Sequence, residues 1–337
     1  MSKERRFGIN GFGRIGRLVF RQFMEMNAGE VACINDIGEL DNLAYLLKYD
    51  SIHTNPAATI EARNGFLCWG DRKVRFTQVP DPSGVPWRNE GVEIVIEATP
   101  LFNKREDAAR HLAAGAGRVI VTTNARGADV TICMGVNEEA FDPGKHFVVS
   151  NSSCTTNCLA QVAKVLDESF GIRWGFFTTV HAVTSTQSLV DTHARRWRRG
   201  RAAAVSIVPS TTGATTGVTL VMPNLKGKID GVAMRVPVLD GSIIDLVVHT
   251  ERSATIEAVN EAFAKAASSE RLRGILGITE EELVSADIVG SPYSALVDAP
   301  STRVLDGHHV KVLAWYDNEW GYARRVVDLA MYMADRT

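Results

Sequence analysis

The chain is predicted to be an α/β protein: a doubly wound parallel sheet covered by helices, followed by an α+β region with longer, antiparallel strands. Three observations carry that expectation. Apolar strand-like runs alternate with helical stretches through the first half, a glycine-rich turn joins the first run to the first helix, and the texture changes after Cys154.

Arg6 to Asn10 reads as a strand, Gly16 to Met26 as a helix and Val31 to Asn35 as a strand, which together make a β-α-β unit. Val92 to Glu97, Arg118 to Thr122 and Phe147 to Ser150 continue the strands, with a helix expected over Lys104 to Ala114. After them come a helix from Cys154 to about Phe170 and antiparallel strands over Phe176 to Val183, Val232 to Val236 and Ser242 to Thr250. Apolar spacing predicts a helix over Ala254 to Ala267, a strand at Val310 to Tyr316 and a last helix over Glu319 to Ala334, free to return to the first domain. The expected domains are 1–153, completed by 319–337, and 154–318.

At 337 residues and 45% hydrophobic content the chain has ample material for two cores. Lys plus Arg (37) nearly balances Asp plus Glu (39), so no global field draws it to nucleic acid or an anionic membrane. The start is charged, no run reaches the length of a membrane span, and a soluble intracellular protein is expected. Five cysteines suit a reducing compartment better than a disulfide framework. None has the paired spacing of a zinc site, and no metal is expected.

Cys154 sits in Ser152-Ser-Cys-Thr-Thr-Asn-Cys158, after an apolar run and at the start of a predicted helix. Backbone N–H groups and the helix dipole favour a thiolate there, and Ser153, Thr155 and Thr156 add donors. Thr178-Thr-Val-His-Ala-Val-Thr184 then puts His181 on a β-rich segment, suggesting a Cys/His pair. A cysteine alone reads first as a core residue, because unpaired cysteine is among the most buried types.

Gly11-Phe-Gly13-Arg-Ile-Gly16 follows the first strand and opens the first helix, the context that gives such a triplet meaning. Its glycines permit a tight turn, close approach of a pyrophosphate and packing of helix on strand. Asp36 ends the next strand, 20 residues beyond Gly16, where a carboxylate accepts from both ribose hydroxyls of NAD and repels a 2′-phosphate.

Cys154 with Thr155-Thr156-Asn157-Cys158, His181, Ser210-Thr-Thr-Gly213, Ala233-Met-Arg235-Val-Pro237 and Trp315-Tyr-Asp-Asn318-Glu319 occur in one order. On these motifs the chain resembles the phosphorylating glyceraldehyde-3-phosphate dehydrogenase family, from about Phe7 to Ala334. The resemblance implies a Rossmann-type domain, a catalytic domain with a mixed, largely antiparallel sheet, a C-terminal helix packed on the first domain, and a cytoplasmic homotetramer. It implies Cys154 as nucleophile and His181 as base and later acid, with glyceraldehyde 3-phosphate, inorganic phosphate and NAD as reactants. Thr184 and Arg235 match the site for the substrate's phosphate, and Ser153, Thr155, Thr212 and Gly213 the site for the attacking phosphate. Asn318 matches the nicotinamide anchor, while Gly11, Phe12, Gly13, Arg14, Ile15, Gly16, Asp36 and Thr122 match further cofactor contacts.

The chain departs from the family in several places. Thr122-Thr-Asn124 stands where Ser-Ala-Pro is frequent, and Pro100 where a glycine is usual; both bear on loops around the cofactor. Thr192-His193 replaces a Leu-Pro pair common in strictly NAD-using members, which leaves NADP use open beside the argument from Asp36. The arginines at 195, 196, 198, 199 and 201 invite a nucleic-acid reading, but the family uses this loop at a subunit interface and the overall charge is not basic. Cys158 is expected to support its helix, and Cys33, Cys68 and Cys133 to be buried in strands. Two rivals remain: an erythrose-4-phosphate dehydrogenase-like enzyme, suggested by Pro86-Trp-Arg88 and Ser294-Ala-Leu-Val-Asp298, and a non-catalytic regulatory or RNA-binding protein on the same scaffold. Thr184 and Ser210 to Gly213 lean against the first, and the complete set of reactive residues against the second.

Overall fold

Strand β1 (Arg6–Asn10) is buried from Phe7 to Asn10, as befits a strand covered on both faces. In the computed structural model, which describes residues 5–337, it pairs in parallel with β2 (Glu30–Asn35) and, beyond β3 (Ile60–Arg63), β4 (Phe66–Trp69) and β5 (Arg72–Thr77), with β6 (Ile94–Glu97). The charged residues before Arg5 lie outside the described ones. With β7 (Arg118–Val121), β8 (Val130–Thr131) and β9 (Val148–Ser150) the sheet runs β3-β4-β5-β2-β1-β6-β7-β9-β8. β1 thus lies inside the sheet with β2 on one side and β6 on the other, so the winding reverses beside it, the doubly wound arrangement whose switch point takes ligands. Helix α1 (Arg14–Met26) follows β1 and ends at Asn27, which turns left-handed, and α2 (Leu40–Lys48) follows β2.

The helix expected over Lys104 to Ala114 is instead two short pieces, α3 (Arg105–Ala108) and α4 (Arg110–Ala113). At the joint, Leu112 N–H bonds to Ala109 three residues back at 3.0 Å, while Ala113 N–H reaches Ala109 at only 3.4 Å. The break is at Ala109, and two residues on His111 is drawn fully inward to Trp87 and Glu97.

In the second region α5 (Cys154–Phe170) is capped by Ser153, whose Oγ accepts from Thr156 N–H at 3.1 Å, and stops at Gly171 with φ 71°. It buries Leu159, Ala160, Val162, Ala163 and Leu166. Then follow β10 (Ile172–His181), β11 (Val208–Ser210), α6 (Ala214–Val221), β12 (Ile229–Arg235), β13 (Ser242–Thr250), α7 (Ile256–Ser268), β14 (Leu276–Thr279), α8 (Ser285–Ile288), β15 (Ala295–Asp298), β16 (Arg303–Leu305), β17 (His309–Tyr316) and α9 (Trp320–Ala334). The sheet order is β11-β12-β10-β13-β17-β15-β14, with β16 on β17. Buried and partly buried residues alternate along β13 and β17, so one face of each is covered.

Two expectations are corrected here. β12 runs parallel to β10, not antiparallel, because the long connection through α6 carries the chain back to the same end before the strand begins. Cys133 lies in a turn after β8, where its carbonyl accepts from Val136 N–H, although it is buried like Cys33 in β2 and Cys68 in β4.

The chain divides into two compact units. One takes the chain as far as Ile132 with Glu138–Ser152 and Ala323–Thr337; the other takes Cys133–Asn137 and Ser153–Tyr322. The first unit therefore closes on the chain's end, where Arg5 pairs with Asp335. Among the described residues no helix is long and apolar enough to cross a membrane.

Candidate active site

Register gathers one set of side chains at one end of the mixed sheet. His181 of β10 lies opposite Arg235 of β12, and Ser242 of β13 opposite Tyr316 of β17. The start of α5 brings Cys154 there, its Sγ 3.5 Å from His181 Nε2. The imidazole is buried; its Nδ1 lies 2.7 Å from the Ala182 carbonyl and 2.5 Å from an Arg235 Nη, and the Tyr316 ring meets it edge-on at 6.0 Å. Burial, reinforced by the Arg235 charge, lowers the His181 pKa to about 3, so the ring is neutral near pH 7 and able to accept a proton.

The resting thiolate expected at Cys154 is corrected by the same surroundings. Burial raises the thiol above its usual value, against the opposing pull of Arg235 and of donors from Thr155. A helix N-terminus favours an anion by only about 0.3–1 kcal/mol in exposed settings. The neutral imidazole lies beside the thiol, within reach of its proton. The Cys158 thiol, fully buried one turn on, is pushed well up by the same cause.

Arg235 meets a carbonyl and an imidazole but no carboxylate, and its Nε is buried without a hydrogen-bond partner among the described residues. A guanidinium drawn from water with no counter-charge is costly, which suits a position meant for a ligand anion. Thr184 Oγ1 lies 2.9 Å from Thr186 Oγ1, which in turn is 3.3 Å from Arg199. Thr212 Oγ1 accepts from Ala214 N–H at 3.1 Å beside Gly213, the cap of α6. The hydroxyls of Ser153 and Thr155 also have internal partners, Ser153 at the α5 cap and Thr155 at Tyr316 Oη, 2.9 Å away. Asn318, buried, accepts at Oδ1 from Ser242 Oγ at 2.5 Å, which fixes the sense of its amide.

In the first unit the glycine loop fits a dinucleotide. Gly11 takes φ 90°, and a Cβ at Gly16 would lie 2.0 Å from the Gly11 oxygen, yet one at Gly13 would meet nothing within 4 Å. The loop is thus closed where helix meets strand and open where a pyrophosphate approaches. The α1 start has no side-chain cap and no acid in its first turn, leaving its N–H groups for an anion. Asp36 accepts from Phe12 N–H at 2.6 Å and Gly38 N–H at 2.7 Å, which holds its carboxylate beside the loop. Arg14 pairs with Asp50 at 2.7 Å, Ile15 is partly buried, and Thr122 Oγ1 donates to the Glu97 carbonyl at 3.1 Å.

Sequence reasoning missed several contributors. Tyr316, whose hydroxyl is shared by Thr155 and Thr179, and Ser242, which orients Asn318, were passed over; their signal was the strict alternation of β13 and β17. Arg199, whose charge reaches both His181 and Arg235, was read only as one of a basic run. A network under the glycine loop was missed altogether. There Glu97 accepts from Asn10 Nδ2 (2.6 Å), Thr99 N–H (2.7 Å) and Thr99 Oγ1 (2.5 Å) and lies 2.8 Å from His111 Nε2. Trp87 Nε1–H donates to His111 Nδ1 at 2.9 Å, so the His111 proton sits on Nε2 and points at Glu97.

Residues 5–105 match the family model of the glyceraldehyde 3-phosphate dehydrogenase NAD binding domain, and residues 153–318 that of its C-terminal domain. The chain is 50% identical over 329 residues, 98% of each chain, to a glyceraldehyde-3-phosphate dehydrogenase of Geobacillus stearothermophilus. It is 49% identical over 329 residues, again 98% of each, to one of Priestia megaterium. Against one of Streptomyces coelicolor the identity is 48% over 332 residues, 98% of this chain and 99% of the relative.

Proposed function

The chain belongs to the glyceraldehyde 3-phosphate dehydrogenase family, and from that premise we propose which residues carry the reaction. The protein is an NAD-dependent oxidoreductase acting on an aldehyde. His181 Nε2 takes the Cys154 thiol proton, and the sulfur adds to the aldehyde carbon of glyceraldehyde 3-phosphate to give a hemithioacetal. His181 hands that proton to the new alkoxide oxygen, and its freed Nε2 takes it back as the hemithioacetal carbon becomes a thioester carbonyl. When bound, NAD supplies the acceptor for the hydride lost from that carbon. Inorganic phosphate attacks the thioester, the acyl group leaves as an acyl phosphate, and His181 returns a proton to the sulfur.

In this reading Arg235 and Thr184 hold the substrate's own phosphate, while Ser153, Thr155, Thr212 and Gly213 receive the attacking one at the starts of α5 and α6. Asn318 holds the nicotinamide carboxamide. The Asp36 carboxylate supports NAD over NADP, through repulsion of a 2′-phosphate. The observation that carries the scheme is a thiol 3.5 Å from a buried, neutral imidazole beside an arginine that pairs with no carboxylate among the described residues.

NADH absorbance with glyceraldehyde 3-phosphate, with and without inorganic phosphate, tests it. Turnover should depend on phosphate, and mass spectrometry should catch an acyl adduct on Cys154 that a Cys154→Ala variant lacks. Phosphate-independent release of the free acid, or normal turnover by Cys154→Ala, would refute the assignment.

A homotetramer is part of the same reading. Trp197 is 91% exposed, and Leu189, Val190, Val205, Ile207 and Phe176 are exposed too, apolar side chains that a contact between copies would cover. Light scattering should report the mass of four chains.

A further inference from the structure

Just ahead of the nucleophile the backbone is strained. Ser152 is fully buried and takes φ 58°, in the left-handed region that residues other than glycine rarely hold. Several side chains brace it. Ser152 Oγ donates to Asn124 Oδ1 at 2.5 Å, and its N–H donates to Ser150 Oγ at 3.1 Å. Ser150 Oγ in turn donates to the Thr123 carbonyl at 2.8 Å and accepts from Ala125 N–H at 3.2 Å. Residues 123–125 are therefore laced to 150–152, and the next residue, Ser153, is the cap of α5.

We propose that Asn124 is a positioning residue for the nucleophile: its side chain latches Ser152 in the left-handed turn from which the chain enters the helix that begins at Cys154. The inference rests on Cys154 being the nucleophile assigned above. A strained left-handed residue persists only where its surroundings over-determine it, and a buried hydroxyl requires an acceptor. Asn124 Oδ1 supplies that acceptor. The Asn124 amide and the Ser152 hydroxyl are then one matched device.

Asn124→Ala removes the acceptor and leaves the strained residue. Both kcat and the rate at which iodoacetamide alkylates Cys154 in the folded enzyme should fall about tenfold, with KM for the aldehyde changed by less than about twofold. Adding Ser152→Gly to that variant should restore both rates to within about threefold, because glycine takes a positive φ without help. A purely structural role would lower the melting temperature without moving the alkylation rate. Unchanged rates in Asn124→Ala, or a loss that Ser152→Gly does not restore, overturns the latch. Should Asn124→Ala fail to fold, Ser152→Gly against Ser152→Ala decides: glycine keeps the rate and alanine loses it, and equal rates refute the proposal. Cys154→Ala in parallel separates the two readings, since an active Cys154→Ala removes the nucleophile while an unaffected Asn124→Ala removes only the latch.

Discussion

Two buried polar clusters, one in each unit, use similar side chains to opposite ends. Beneath the glycine loop, Glu97 accepts from Asn10 and Thr99 and is met by His111, which takes the Trp87 indole N–H on its other nitrogen. Around Cys154, the His181 ring touches a thiol, a carbonyl and a guanidinium, and the guanidinium keeps a buried nitrogen with no partner. The first cluster is saturated and therefore rigid. The second is left short of anions, so its pKa values are displaced and its free energy improves when a ligand brings charge. A buried histidine is accordingly no sign of catalysis by itself; what distinguishes the two is whether their partners are already complete.

That contrast can be broken most severely at the unsaturated end. His181→Asn should cut kcat by roughly two to four orders of magnitude, the usual scale of general acid–base help, with NAD affinity held by titration calorimetry. Arg235→Leu should lower kcat/KM for glyceraldehyde 3-phosphate by roughly ten- to a hundredfold, the scale of a lost charged hydrogen bond. An equal loss with glyceraldehyde, which lacks the phosphate, would mean that Arg235 acts on His181 alone. At the saturated end His111→Leu should leave kcat nearly unchanged but cost about 1–3 kcal/mol in denaturant unfolding, because Glu97 and Trp87 each lose a buried partner. A drop in kcat without a drop in stability would erase the distinction.

The subtlest effect is on stability against pH. The His181 pKa is lowered from 6.5 to about 3, so between those values the unfolded chain binds the extra proton and stability is lost as pH falls. Asp240, buried and hydrogen-bonded to Asp317, is raised from 3.8 to about 9; there the folded chain holds the extra proton and stability is lost as pH rises. Urea titrations across pH should show His181→Asn flattening the acid side and Asp240→Asn the alkaline side. A flattening on the wrong side in either variant would reject the assignment.

Much of this was legible along the chain. The β1 strand, the glycine turn, Asp36 and the start of α5 at Cys154 are written in short stretches, and the strands β13 and β17 show in period-two alternation. The pairing of β12 was not legible, because direction depends on how a long connection returns and not on the strand's own residues. The split of the 104–114 helix at Ala109 was also hidden, and so was the inward turn of His111 to Trp87 and Glu97, partners distant in the chain.

The sequence by itself determined the chemistry on offer: a glycine loop with an acid behind it, a cysteine at a helix start, a histidine on a strand, and arginine with hydroxyls suited to phosphate. These are properties of residue type and spacing. Only the tertiary structure decided their states. It pushed the His181 pKa down and the Cys154 thiol up, and set Arg235 against the imidazole. The reason is that desolvation and charge come from partners distant in the chain, such as Arg235 against His181 and Tyr316 against Thr155, and no local pattern records them.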